Sequence, residues 1–298
     1  MIKNLVVDEL IPDRVVIVGA GGFLGSAILN HMKGKGIPVL GLIPETVDLL
    51  DDGASAKLSG ILRPDDTLFM ISAIAPCKDN RMLIQNIKMM ACVCTAIEKT
   101  MPAHIVYISS DAVYADDTKP LTEDSCAEPS SLHGAMHLTR EIMLKGSCKA
   151  PLAILRPTLI YGATDTHNGY GPNQFRRLAA DGKDIVLFGE GEEQRDHVII
   201  DDVAEIARLV VVHKSQGVLN VATGNVTTFR EVAEIVAGYF DPRPAIKTIP
   251  RKDPMPHGGY RPFDISSCRK AFPEFRYTSL EEGLKKTHKI MMEVIKNG

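Results

Sequence analysis

The segment from Val15 to Gly25, VVIVGAGGFLG, constrains this chain more than any other. Residues 14–18 form a short, nearly all-apolar run, the pattern of a parallel strand buried on both faces. Gly19, Gly22 and Gly25 follow at Gly-x-x-Gly-x-x-Gly spacing, and a helical pattern continues from there to about Lys33. A strand that turns sharply into a helix needs glycine at three places: where the chain reverses, where a phosphate approaches the backbone, and where the helix packs close to the sheet. The helix N-terminus adds unpaired N–H groups and a partial positive charge. This context predicts that Gly19, Gly22, Phe23, Leu24 and Gly25 cradle the pyrophosphate of a dinucleotide.

The rest of the chain repeats the alternation. Apolar runs at 38–42, 67–72, 104–109 and 152–156 read as strands, and 80–100 and 132–147 read as helices. Strands apolar throughout, separated by helices, predict an α/β fold: a Rossmann-like, doubly wound parallel sheet with ligands at the strands' C-terminal edge. Residues 1–13 read as a leader. Beyond about residue 161, Gly, Pro, Asn and Asp gather in 162–174 and 241–262. We therefore expect a dinucleotide-binding domain from 1–161 and 201–224, and a smaller C-terminal substrate lobe mainly from 162–200 and 225–298. A length of 298 residues, 45% of them hydrophobic, suffices for such a core.

Several classes are disfavoured. A net charge of -3 without a basic stripe argues against nucleic acid as a partner. No run approaches the roughly eighteen apolar residues of a membrane helix. Lys3, Asp8 and Glu9 do not fit a secretory signal, and the six cysteines form no CxxC pair, which suits reduced thiols in a cytoplasmic protein.

The turn, with Phe23 and Leu24 inside it, resembles that of the extended short-chain dehydrogenase/reductases, the NAD-dependent epimerase/dehydratase family. The resemblance covers nearly the whole chain. It implies NAD as cofactor, a nucleotide-activated sugar as substrate, hydride exchange between them, and a homodimer through the helices near 80–100 and 132–147. Ile43 stands where NAD enzymes usually carry an acid, but no Lys or Arg lies between 36 and 56 while Glu45 and Asp48 do. The local charge favours NAD over NADP, which stays the other candidate. By the same resemblance Asp48 and Leu49 grip adenine, Ser72 and Ala73 pass under the cofactor, and Asn86 is structural. Ser110 is the hydroxyl that holds a substrate oxygen, and Asp111 matches an acid of the 4,6-dehydratases. Those enzymes also use a Glu where this chain has Ala112, which disfavours that reaction. Arg195 and Arg261 match diphosphate-binding arginines, for which a planar guanidinium is suited. Asn173 matches a substrate contact.

One departure is central. The family's Tyr-x-x-x-Lys pair aligns with His133 and His137, at i and i+4 on one helical face. Three readings stand. His133 replaces Tyr as acid/base, with an ordinary pKa of about 6.5 that predicts activity titrating near pH 6–7, and His137 bonds the ribose. Alternatively, the chemistry is lost and a dinucleotide-binding or regulatory relative remains. Or the pair binds metal, against which stand Gly134 at the zincin base position and the lack of a third ligand; our expectation is no metal.

Overall fold

A computed structural model describes residues 1–297. The first half runs β1 (Val15–Val18), α1 (Phe23–Gly34), β2 (Val39–Leu42), α2 (Ala54–Ile61), β3 (Thr67–Met70), α3 (Asn80–Lys99), β4 (His104–Ile108), α4 (Leu132–Ser147) and β5 (Leu152–Pro157). The second half runs β6 (Leu159–Tyr161), α5 (Pro172–Ala180), β7 (Ile185–Phe188), β8 (Gln194–Ile199), α6 (Ile200–Val212), β9 (Gly217–Val221), β10 (Val226–Thr228), α7 (Phe229–Ala237), β11 (Ile246–Ile249), β12 (Tyr260–Arg261), α8 (Ser266–Ala271) and α9 (Leu280–Asn297).

Six strands form one parallel sheet in the order β2-β1-β3-β4-β5-β9. β1 shows why the pattern works. Val15 and Ile17 enter one apolar core, Val16 and Val18 the other, so successive side chains serve opposite faces of a sheet covered on both sides. The chain leaves β1 toward β2 on one side and β3 on the other, so the crevice of the sheet opens at the end of β1. A second sheet, β10-β8-β12 with β6 also on β8, and the pair β11-β7 lie outside this one. Their apolar support is a separate cluster around Phe175, Leu187, Phe229 and Val232. Helix α5 begins inside the Gly/Pro/Asn-rich stretch that the sequence presents as irregular, with Pro172 in its first turn, where a missing N–H costs nothing. The leader is tied down: Lys3 N–H donates to Gln216 O at 2.8 Å, and Leu10 N–H to Val212 O at 2.9 Å.

Two histidines in the interior carry a pH prediction. His104, 1% exposed, bonds Ser215 O through Nε2 at 2.8 Å, and burial brings its pKa down to about 4. His197, 4% exposed, packs edge-on against Phe229, and burial and then Arg195 bring it down to about 3. Their folded pKa values lie below the unfolded 6.5, so their contribution is full above pH 6.5 and is lost as pH falls from there. By pH 5 the two together cost about 4 kcal/mol. Asp196 opposes this, because burial raises it to about 6 and folding then favours its protonated form, returning about 1.4 kcal/mol between pH 7.5 and 5. Urea unfolding should therefore give a stability lower by about 2–3 kcal/mol at pH 5 than at pH 7.5. Equal stability at the two pH values would mean that these rings protonate freely in the folded state.

Candidate functional site

The glycine turn has the shape that its spacing predicts. Gly19 has φ +96, and a Cβ there would lie 2.6 Å from Ser72 N, at the end of the neighbouring strand. Ser72 N–H in turn donates to Val18 O at 2.9 Å, which closes β1 against the segment after β3. Gly22 caps α1 without any side-chain hydrogen bond. The N–H groups of Phe23, Leu24 and Gly25 thus lie in the first turn, where helix geometry supplies no acceptor. Phe23 reaches across to Gly162, where a Cβ would come within 3.0 Å of its ring. A glycine-lined cradle that a side chain would fill, with helix N–H groups at its floor, fits a dinucleotide pyrophosphate. Asp48 is exposed, and its Oδ1 accepts from Leu50 N–H at 2.9 Å, while the Leu49 side chain is buried in the core. Asp48 Oδ2 and the Leu49 backbone are the parts left for an adenine. Ala73 is half-buried beside Ser72.

Ser110, two residues past β4, caps a short 3-10 turn over Asp111–Val113, accepting from Ala112 N–H at 3.1 Å. Gly134 lets α4 approach that turn, since a Cβ there would stand 2.0 Å from Ala112 O. This close approach brings His133 and His137 to the end of β4. The two rings meet edge to face with centroids 4.7 Å apart. His133 is half-buried, and its Nδ1 accepts from Cys77 N–H at 3.3 Å. His137, 6% exposed, bonds Tyr107 Oη through Nδ1 at 2.8 Å. Burial lowers the pKa of both rings. Asp111 partly offsets this for His133, whereas His133 and Arg140 lower His137 further. Activity set by His133 would therefore titrate below the pH 6–7 expected from an ordinary imidazole. Among the described residues no group of three His, Cys, Asp or Glu side chains is placed to hold a metal.

Asp111 keeps different company from that expected of a free acid. Its Oδ2 accepts from Arg261 Nε at 3.1 Å and lies 3.7 Å from Arg195 Nη2, and its carbonyl accepts from Arg261 Nη2 at 2.7 Å. Arg261 Nη1 also donates to Asp116 at 2.7 Å, Arg195 Nη1 to Glu193 at 3.4 Å, and Arg251 Nη2 to Glu193 at 3.2 Å. Arg261, far from a surface charge, is 1% exposed. The two arginines that the sequence singles out thus meet on one carboxylate next to Ser110, which donates to Asp111 Oδ1 at 3.3 Å. Asn173 is committed elsewhere: its Oδ1 accepts from Gly162 N–H at 3.2 Å and its Nδ2 donates to Asp165 at 2.9 Å.

Other buried residues support the site, Asn86 in the structural part that the resemblance implies, and Arg140 and Tyr107 without a signal of that kind. Asn86 pins the segment after β3, accepting from Ile74 N–H at 3.0 Å and donating to Ile74 O at 2.9 Å. Arg140 is fully buried, donates to Ser72 O at 2.7 Å, and lies over the Tyr107 ring at 5.4 Å. Its position seven residues after His133, on the same helical face, was the available clue. Tyr107 itself reads in the sequence only as one more residue of an apolar strand.

A parallel sheet with a glycine turn at its switch point defines a Rossmann-type dinucleotide-binding protein. Residues 15–222 match the NAD dependent epimerase/dehydratase family, and the chain belongs to that family. It is 31% identical over 160 residues to a dTDP-L-rhamnose 4-epimerase of Burkholderia thailandensis, a match covering 51% of this chain and 39% of that protein. It is 22% identical over 326 residues to a UDP-N-acetyl-alpha-D-glucosaminuronate decarboxylase of Bacillus cytotoxicus, covering 94% of this chain and 98% of that one. In structure it is similar to MoeE5 in complex with UDP-glucose and NAD, with a TM-score of 0.80, 20% identity, and coverage of 95% and 99%. No helix among the described residues is long and apolar enough to cross a membrane.

Proposed function

We propose that this protein is an NAD-dependent oxidoreductase or epimerase of a nucleotide-activated sugar, working in the cytoplasm, with His133 in the place of the family's Tyr. The observation that carries the reading is the convergence at the end of β4. Ser110 lies beside Asp111, on which Arg195 and Arg261 meet, and His133 is near enough for that carboxylate's charge to act on it. Ser110 and His133 would hold the reacting sugar oxygen. The lobe of 162–200 and 225–298 would contribute Arg195 and Arg261 to the diphosphate, whose charge competes with the carboxylates for the two guanidiniums. The turn Gly19–Gly25 would hold the cofactor, which when bound supplies hydride exchange at the sugar carbon. The relatives' nucleotide-sugar activities and the NAD bound by MoeE5 support this reading. The absence of Lys and Arg from 36–56 favours NAD over NADP. A homodimer through α3 and α4 is part of the proposal, supported by Ile84 and Ile142, which are 56% and 60% exposed on those helices.

Two observations favour the non-catalytic alternative: both arginines already have carboxylate partners, and both imidazoles are held below their usual pKa. Two measurements separate the readings. Mass spectrometry of the small molecules released on denaturation should find NAD or NADH, and NADH should bind at least about tenfold tighter than NADPH. Turnover of UDP-sugars should fall about 100-fold or more in His133→Ala while NADH affinity stays within about threefold. Cofactor binding with no turnover of any nucleotide sugar would establish the alternative.

A further inference from the structure

The two imidazoles share an unusual feature: in each, Nδ1 faces a hydrogen-bond donor. For His133 that donor is the Cys77 backbone N–H, which cannot reverse its role. Nδ1 must then be the acceptor, and the neutral ring carries its hydrogen on Nε2. For His137 the partner is Tyr107 Oη, whose other surroundings decide the direction. Tyr107 is fully buried, and the bond to His137 is the only one its hydroxyl makes among the described residues. If His137 Nδ1 were the donor, the Tyr107 O–H would be buried without an acceptor. Donation from Tyr107 to Nδ1 satisfies both groups. A histidine that acts as a base at Nε2 is ordinarily arranged the other way, with its Nδ1–H donating to an acceptor.

We propose that His133 and His137 form a neutral pair that only donates hydrogen bonds, each through Nε2–H, and that the site therefore receives a carbonyl oxygen and does not strip a proton from a hydroxyl, with Tyr107 as the positioning residue behind His137. Hydride from the reduced nicotinamide would add to the carbonyl carbon, the C=O π pair would move onto the oxygen held by His133 Nε2–H, and solvent water would supply the proton to that oxygen while the ring keeps its own. The inference rests on the preceding reading only in placing the reacting oxygen at His133. It narrows the substrate to the keto form of the sugar. The groups facing the pair agree. His133 meets Cys77 N–H, the His137 ring and, more distantly, the Asp111 carboxylate, which is already engaged by Arg261 and Arg195. His137 meets Tyr107, His133 and the Arg140 guanidinium, which opposes a second positive charge. Burial raises the Tyr107 phenol to about 12, so it keeps its hydrogen at neutral pH. The other tautomer would set His133 Nδ1–H against Cys77 N–H, or leave the buried Tyr107 O–H without an acceptor, and either cost disfavours it by about tenfold or more in population.

The test is nitrogen NMR on the whole protein labelled with nitrogen-15 in its histidine rings. Two-bond proton–nitrogen correlations distinguish the tautomers, and His133→Asn and His137→Asn spectra assign the two rings. Both rings should be neutral Nε2–H tautomers from pH 6 to 8. In Tyr107→Phe only His137 should lose its single tautomer. A protonated ring at pH 7, or a dominant Nδ1–H tautomer in either, would overturn the proposal. So would a Tyr107→Phe protein that folds and leaves His137 unchanged. These readouts need no turnover. A protein that binds no dinucleotide would sink the proposed function and leave the tautomer result to be judged separately.

Discussion

Gly25→Ala should abolish useful cofactor binding and destabilise the fold. A Cβ at this position would stand 2.0 Å from Gly19 O, 2.8 Å from the Gly19 carbonyl carbon and 3.1 Å from Ala20 Cα. All three neighbours are backbone atoms, so no rotamer change can relieve the overlap. Either α1 must withdraw from the turn or the turn must open. α1 is held by its contacts with α6 and β2, and the turn by the bonds that join Val18 and Ser72. The strain has no inexpensive outlet, and we expect a loss of about 3 kcal/mol or more in urea unfolding. The same movement displaces the first-turn N–H groups from the position in which they meet a pyrophosphate. NADH affinity, measured by calorimetry, should fall by about 100-fold or more. Gly34→Ala at the other end of α1 is the control. A Cβ there meets nothing within 4 Å, and stability should change by less than about 1 kcal/mol with NADH binding unaltered. Gly25→Ala with unchanged NADH affinity would remove this turn as the cofactor's seat.

The second large effect is expected at Arg261. Its guanidinium makes bonds to the Asp111 side chain, the Asp111 carbonyl and Asp116 while only 1% exposed. Removing one partner of a buried pair leaves the other as an uncompensated charge, which costs far more than the pair contributes when intact. Arg261→Ala leaves the Asp111 carboxylate with Arg195 at 3.7 Å as its one cation and the Ser110 hydroxyl at 3.3 Å, and should lower stability by about 3–5 kcal/mol. Arg261→Lys keeps the charge but loses the fork that reaches three acceptors, so its loss should be intermediate. The double variant Asp111→Ala/Arg261→Ala should lose at least about 1 kcal/mol less than the sum of the single losses. A single-variant loss below about 1 kcal/mol would show that water already screens this cluster. Under the proposed function, Arg261→Lys should also weaken UDP-glucose binding, because the same fork would hold the diphosphate.

The legible part of this protein is its main parallel sheet, together with β7, α6 and α7 in the second half. β1, β2, β3, β4 and β5 each appear in the sequence within a few residues of their ends, because strands of a sheet covered on both faces are apolar without interruption. β8 did not announce itself, although it is a strand of six residues. Its Arg195, Asp196 and His197 are all buried, and hydropathy takes them for a polar loop. They are tolerated inside because of partners remote in sequence. Asp196 accepts from Thr223 N–H and Oγ1–H at 3.0 Å and from Gly224 N–H at 2.7 Å, and Arg195 has Glu193 and Asp111. Such compensation has no local signature.

The same division holds at the site. The amino-acid sequence alone determined the glycine turn, because the positive φ at Gly19 and the overlap of a Gly25 Cβ with Gly19 are properties of a short stretch of backbone that only glycine satisfies. It also placed His133 and His137 on one helical face, since helix periodicity needs no tertiary information. The tertiary structure decided what those histidines can do. Which ring nitrogen carries hydrogen depends on Cys77 and Tyr107, 56 and 30 residues away in the chain. Whether a ring stays neutral depends on burial for both and, for His133, on the Asp111 carboxylate that the fold brings near; Arg140, one turn beyond His137, acts within the helix. Proton chemistry is set by the donors and charges around a group, and those are assembled only when distant segments meet.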